Sequence, residues 1–106
     1  MKSLKIAMTV AFLSGVAVAY AADKTITQKG KVFSMTEVSL KKGETLNFLN
    51  DDNIVHNIMS TSAGNEFNVG AVKPGTSTPV TFKNTGDVKV ICAIHPSMKM
   101  LVKVVD

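Results

Sequence analysis

The chain has no arginine anywhere, a single cysteine, and only 6% aromatic residues among its 106 positions. Without arginine there is no planar fork to grip phosphate or guanine. The lysines form no basic run, and there is little aromatic surface on which bases could stack. Nucleic acid is therefore not an expected partner. No stretch keeps an amphipathic helical period over three turns, which argues against a helical domain. No internal repeat, low-complexity tract or linker divides the chain.

Charge of one sign is also scarce. The formal net charge of +4 includes Lys2 and Lys5. Those two belong to a leader-like start, in which Ile6 to Val18 form an apolar stretch and Ala19-Tyr20-Ala21 fits the small-x-small rule for signal cleavage. The reading is a secretory signal peptide over 1–21, cut after Ala21 or one residue on, and a single domain over 22–106 exported to the periplasm. A membrane anchor is the competing reading, but the apolar stretch is short for a span and is interrupted by Ser14 and Gly15. No membrane span is expected after cleavage. The remainder, roughly 85 residues, is enough for one modest core and too short for two.

Export sharpens the meaning of the lone cysteine. Secreted proteins use cysteines in pairs, so Cys92 cannot close an internal disulfide and must be buried, metal-bound, reactive or paired between chains. Its neighbours decide among these. Cys92-Ala93-Ile94-His95-Pro96-Ser97-Met98-Lys99-Met100 sets a thiolate, an imidazole and two thioethers within nine residues, and His56 lies upstream. Two His and one Cys in a trigonal set with a weak axial Met form the ligand field of a blue-copper electron-transfer site. Structural zinc sites seldom recruit Met. A nucleophilic Cys wants a helix N-terminus or a positioned base, and no helix is in evidence.

The scaffold reads as strands. Val38/Leu40, Leu46/Phe48, Val80/Phe82 and Val88/Val90/Cys92 alternate with polar neighbours, and turns fall at Lys42-Gly43, Asn50-Asp51-Asp52-Asn53, Lys73-Pro74-Gly75 and Asn84-Thr85-Gly86. An all-β sandwich of short, mostly antiparallel strands follows. The stretch from Ser60 to Gly70 is the least regular and is expected to be a loop crossing between sheets. Cys92 shares a face with Val88 and Val90, which points its sulfur into the sandwich.

These residues resemble the cupredoxins, the type 1 blue copper proteins, and most closely the amicyanin and plastocyanin-like members. The resemblance rests on the Gly43-Glu44-Thr45 turn, His56-Asn57-Ile58, Pro74-Gly75, and Val88-x-Val90-x-Cys92-x-x-His95-Pro96-x-Met98. It implies a cupredoxin-like Greek-key sandwich of about seven to eight strands. It implies that His56, Cys92 and His95 form the copper plane, and that Asn57 ties the two ligand loops together. The axial ligand is Met98 if the loop is amicyanin-like and Met100 if it is plastocyanin-like. The closing strand favours Met98, because the inward offsets from it fall on Val102 and Val104, whereas those from Met100 reach Asp106. Ala93 stands where the family usually has Ser or Thr, so one cross-loop hydrogen bond is expected to be missing.

The resemblance further implies a non-enzymatic, monomeric carrier of one electron, docking transiently near His95 on redox proteins such as a dehydrogenase or a c-type cytochrome. The alternative is a periplasmic copper chaperone, storage or resistance protein that passes Cu(I) along Met59, Met98 and Met100. The plainest alternative is a secreted sandwich in which Cys92 and the methionines are packing and His95 is a surface residue.

Overall fold

The computed structural model describes residues 24–106. The expected signal peptide lies outside the described residues. Nine strands run β1 (Thr25–Lys29), β2 (Val32–Phe33), β3 (Glu37–Lys41), β4 (Thr45–Asn50), β5 (His56–Ser60), β6 (Phe67–Val72), β7 (Ser77–Thr81), β8 (Gly86–Ile91) and β9 (Lys99–Val105). There is no helix among the described residues, and none long and apolar enough to cross a membrane.

The strands form two mixed sheets, ordered β2-β1-β4-β7 and β3-β9-β8-β5-β6. β1 runs parallel to β4 and β3 runs parallel to β9, while the remaining pairs are antiparallel. The period-two alternation does the sorting. In β4, Leu46 and Phe48 are buried; in β8, Val88 and Val90; in β9, Met100, Val102 and Val104. Each set faces the other sheet. Phe48 and Phe82 fill the centre, with Phe33 and Phe67 meeting them edge-on at 6.1 and 5.8 Å between centroids. Fully burying one such apolar side chain contributes about 1.5–3 kcal/mol.

Two expectations need correction. The stretch from Ser60 to Gly70 does not cross between sheets: its second part is β6, which pairs antiparallel with β5 in the same sheet. β6 is an edge strand, largely exposed, and it carries a bulge: Val69 and Gly70 together stand opposite the single Ile58, between the Asn57–Ala71 and Met59–Asn68 pairs, so its side chains carry no clear alternation. The crossing comes one turn later. There Pro74 and Gly75 (φ 83°) close a turn in which the Thr76 N–H donates to the Lys73 carbonyl at 3.1 Å. Pro second and Gly third is the type II arrangement, since the third position requires positive φ. The strand count of nine exceeds seven to eight because of the β1–β2 hairpin. Its turn residues Gly30 (φ 66°) and Lys31 (φ 61°) are both left-handed, as a tight hairpin requires.

The ends of β1, β4, β6 and β8 and the starts of β5, β7 and β9 converge at one end of the sandwich. Every candidate ligand lies there.

Candidate metal centre

His56 opens β5 and is wholly buried, paired across the strands with Val72. Cys92 follows the last residue of β8 and is also wholly buried. His95 lies at the top of the loop to β9 and is half-buried. The loop is closed at its base by the Cys92 N–H donating to the Met98 carbonyl at 3.2 Å, and inside by the Met98 N–H donating to the His95 carbonyl at 2.8 Å. A loop this short and this bonded presents three donors on one side.

Folding brings together His56, 36 positions upstream of Cys92, and the two loop residues. Nδ1 of His56 lies 3.2 Å from Nδ1 of His95, and the Cys92 Sγ lies 3.7 Å from the same His95 nitrogen. The donor atoms of all three residues lie within 4.8 Å of one another. Metal–nitrogen and metal–sulfur bonds of about 2.0–2.3 Å require donors packed this closely. The rings meet edge-on, at 72°, with centroids 5.0 Å apart.

Met98 is wholly buried and is placed by register opposite Cys92. Ile91 pairs with Lys99 and Val90 with Met100, so the Cys92–Met98 bond is the next rung of the same ladder. Alternation then puts Cys92 and Met98 on the inner face together. Met100 is also buried and inward, but it stands opposite Val90, two residues deeper into the core.

Asn57 supports both loops. Its backbone N–H donates to the Cys92 Sγ at 3.3 Å, and its side-chain oxygen accepts the Ala93 N–H at 3.0 Å. Its Nδ2 donates to the Asn68 Oδ1 at 2.9 Å and to the Gly70 carbonyl at 3.0 Å. The loops are thus tied through the backbone of Ala93. What Ala93 lacks is the extra hydroxyl bond alone.

Asp52 is the residue that sequence reasoning missed. Its Oδ2 accepts from Nε2 of His56 at 2.7 Å and from the Lys31 N–H at 3.2 Å, while Oδ1 accepts the Gly30 N–H at 2.9 Å. The left-handed Gly30-Lys31 turn aims both amides at this carboxylate. The Gly30 amide, followed by the His56 ring, holds its pKa down to about 2 from the ordinary 3.8. An Nε2–H committed to Asp52 leaves the lone pair of His56 on Nδ1, toward Cys92 and His95. The only signal in the sequence was a carboxylate four positions before the histidine, inside what reads as a plain polar turn.

The donor chemistry suits copper. A buried thiolate and thioether are soft donors that stabilise Cu(I), two imidazoles accept Cu(II), and the set is neither the oxygen cage of calcium nor the paired cysteines of structural zinc.

Comparison with known proteins agrees. The family model described as copper binding proteins, plastocyanin/azurin family, matches residues 20–105. A purple cupredoxin from Nitrosopumilus maritimus is 26% identical, with a TM-score of 0.68 over 77% of this chain and 99% of that one. An oxidised amicyanin variant is 19% identical, with a TM-score of 0.71 over 77% and 81%. A copper-containing nitrite reductase from Thermus scotoductus is 22% identical, with a TM-score of 0.73 over 87% of this chain. The chain spans only 24% of that reductase. No curated protein matches the chain.

Proposed function

The chain belongs to the plastocyanin/azurin family of copper-binding proteins, and on that premise we propose that it is an exported, monomeric, non-enzymatic carrier of single electrons. The residues that would hold the copper are His56 through Nδ1, Cys92 through Sγ, His95 through Nδ1, and Met98 through its thioether. The observation that carries this reading is the convergence of the three buried or half-buried donors within 4.8 Å. Copper held there would supply a one-electron couple between Cu(I) and Cu(II).

The residues of the chain account for the rest. Asp52 fixes the tautomer of His56, and Asn57 holds the Cys92 sulfur and the Ala93 backbone in one arrangement. A site held this way needs little rearrangement when its charge changes, which favours fast transfer. Burial of Cys92 keeps its sulfur from oxidants and water. His95 is the half-buried ligand, so it is the natural port, with Ile94, Pro96 and Val55 exposed around it. An apolar port suits a small, transient redox encounter of less than about 1,200 Å². A dehydrogenase or a c-type cytochrome is the proposed partner class, and the periplasm is the proposed compartment.

The test is the visible spectrum of the purified chain after Cu(II) is added. An intense blue thiolate-to-copper band that bleaches on reduction and returns on reoxidation is expected. Tight Cu(I) binding with no such band would sink the carrier reading in favour of copper delivery or storage.

A further inference from the structure

The end of the sandwich that holds the ligands also holds uncompensated positive charge. Lys31 sits in the β1–β2 turn that grips Asp52, Lys73 directly follows the residue paired with His56, and Lys99 opens β9 one residue after Met98. All three are exposed, and none has an ion-pair partner among the described residues. The carboxylates nearby are engaged. Asp51 pairs with Lys29 at 3.8 Å, Glu37 pairs with Lys103 at 3.9 Å, and Asp52 is occupied by His56 and two backbone amides.

The opposite end is different. Glu44 pairs with Lys24 at 3.2 Å and Asp106 with Lys42 at 3.5 Å. Among the described residues the two carboxylates without a cation partner, Glu66 and Asp87, lie at the starts of β6 and β8, away from the site, where the unpaired Lys41 and Lys83 offset them. Apolar exposure is lopsided too. Of the five exposed large hydrophobic residues among those described, Val32, Val55 and Ile94 lie at the ligand end and Val105 at the other. One face therefore combines an apolar centre with three free cations.

We propose that this face docks an electron-transfer protein whose own docking surface is acidic, with carboxylates around its redox centre meeting Lys31, Lys73 and Lys99. This rests on the electron-carrier reading above and names the kind of partner that reading leaves open. Charges of opposite sign raise the rate of encounter and orient it, within a range set by a Debye length of about 10 Å at 0.1 M salt. The same lysines disfavour a basic partner, since like charges brought together are repulsive. The apolar centre then holds the complex without strong pairs, so that it forms quickly and parts quickly.

The test uses hexacyanochromate(III), a paramagnetic trianion, added to the copper-free chain. Amide signals around Lys31, Lys73 and Lys99 are expected to broaden first, and the variant K31Q/K73Q/K99Q to lose that broadening. A kinetic arm uses the reduced copper-loaded chain, which gives one electron to hexacyanoferrate(III) and leaves hexacyanoferrate(II). At low salt the same variant is expected to react about threefold or more slowly, with a flatter salt dependence. K31Q/K73Q is expected to slow the reaction more than K41Q/K83Q, which removes as much charge from unpaired lysines at the other end.

Equal slowing by the two double variants, or broadening spread evenly over the surface, overturns the proposal. Sedimentation with phosphatidylserine vesicles that depends on Lys31, Lys73 and Lys99 overturns it in favour of a lipid surface. The two readings fail separately. Absence of the blue band defeats the carrier function, whereas a blue, redox-active protein whose anion map ignores these lysines defeats the acidic partner alone.

Discussion

Asp52 holds His56 by the nitrogen that faces away from Cys92. Nε2 lies 2.7 Å from Oδ2, and the carboxylate is itself held by the Gly30 and Lys31 amides. The hairpin turn at one edge of the first sheet is therefore coupled to a proposed ligand in the second. Replacing Asp52 with Ala frees the ring to rotate and to change tautomer. Loss of such an outer partner typically costs about 10–100-fold in metal affinity. A competition titration of D52A with a Cu(I)-selective chelator checks this, and an affinity equal to the parent would show that Asp52 does not position the ring.

The same carboxylate makes stability depend on acid. Its pKa is about 2 in the folded chain against an ordinary 3.8, so the unfolded state binds more protons between those values. Stability from this group is fully present above the ordinary value and is lost as pH falls through about 2. Denaturant unfolding of the copper-free protein between pH 2 and 5 should show a steeper loss for the parent than for D52N. Parallel curves would mean that the amide and imidazole contacts do not persist in solution.

Asn57 closes three side-chain bonds at once, to Ala93, Asn68 and Gly70. Replacement with Ala removes all three and unties the loop that carries Cys92 and His95. The partners at Gly70, Asn68 and Ala93 are exposed and turn to water, so each lost bond costs only its net worth of about 0.5–1.5 kcal/mol. For a domain of this size each kcal/mol lowers Tm by about 4–8 °C. Calorimetry of the copper-free N57A protein should show a drop of that order, since the bonds exist without the metal. A Tm unchanged without copper would confine the role of Asn57 to the loaded site.

What could be read from the chain alone was whatever obeys a short period. Leu46/Phe48, Val80/Phe82 and Val88/Val90/Cys92 are all buried, because a half-buried strand writes its inward face every second residue. The Cys92 to His95 spacing was equally legible, because both residues lie in one tight loop. β6 was not legible, since an exposed edge strand with a bulge of its own carries no alternation. The β1–β2 hairpin escaped because Lys31 takes a left-handed conformation usually signalled by Asn-Gly or Gly-Gly. Asp52 escaped for a different reason: its role depends on a turn more than 20 positions away, and nothing local distinguishes it from Asp51.

Register distinguishes Met98 from Met100 more firmly than the closing-strand argument does. Both side chains face inward, so alternation alone does not separate them. Met98 stands opposite Cys92 and Met100 opposite Val90, which places Met100 about 7 Å deeper at the rise of an antiparallel strand. Leu preserves the volume of either residue at a cost usually below about 1.5 kcal/mol. M98L is therefore expected to fold, to shift the visible spectrum of the copper-loaded chain, and to raise its reduction potential, because removing a donor stabilises the electron-poor Cu(II) less than before. M100L should leave spectrum and potential as they are. Voltammetry with the spectrum of each variant decides the matter, and the reverse pattern would assign the axial position to Met100.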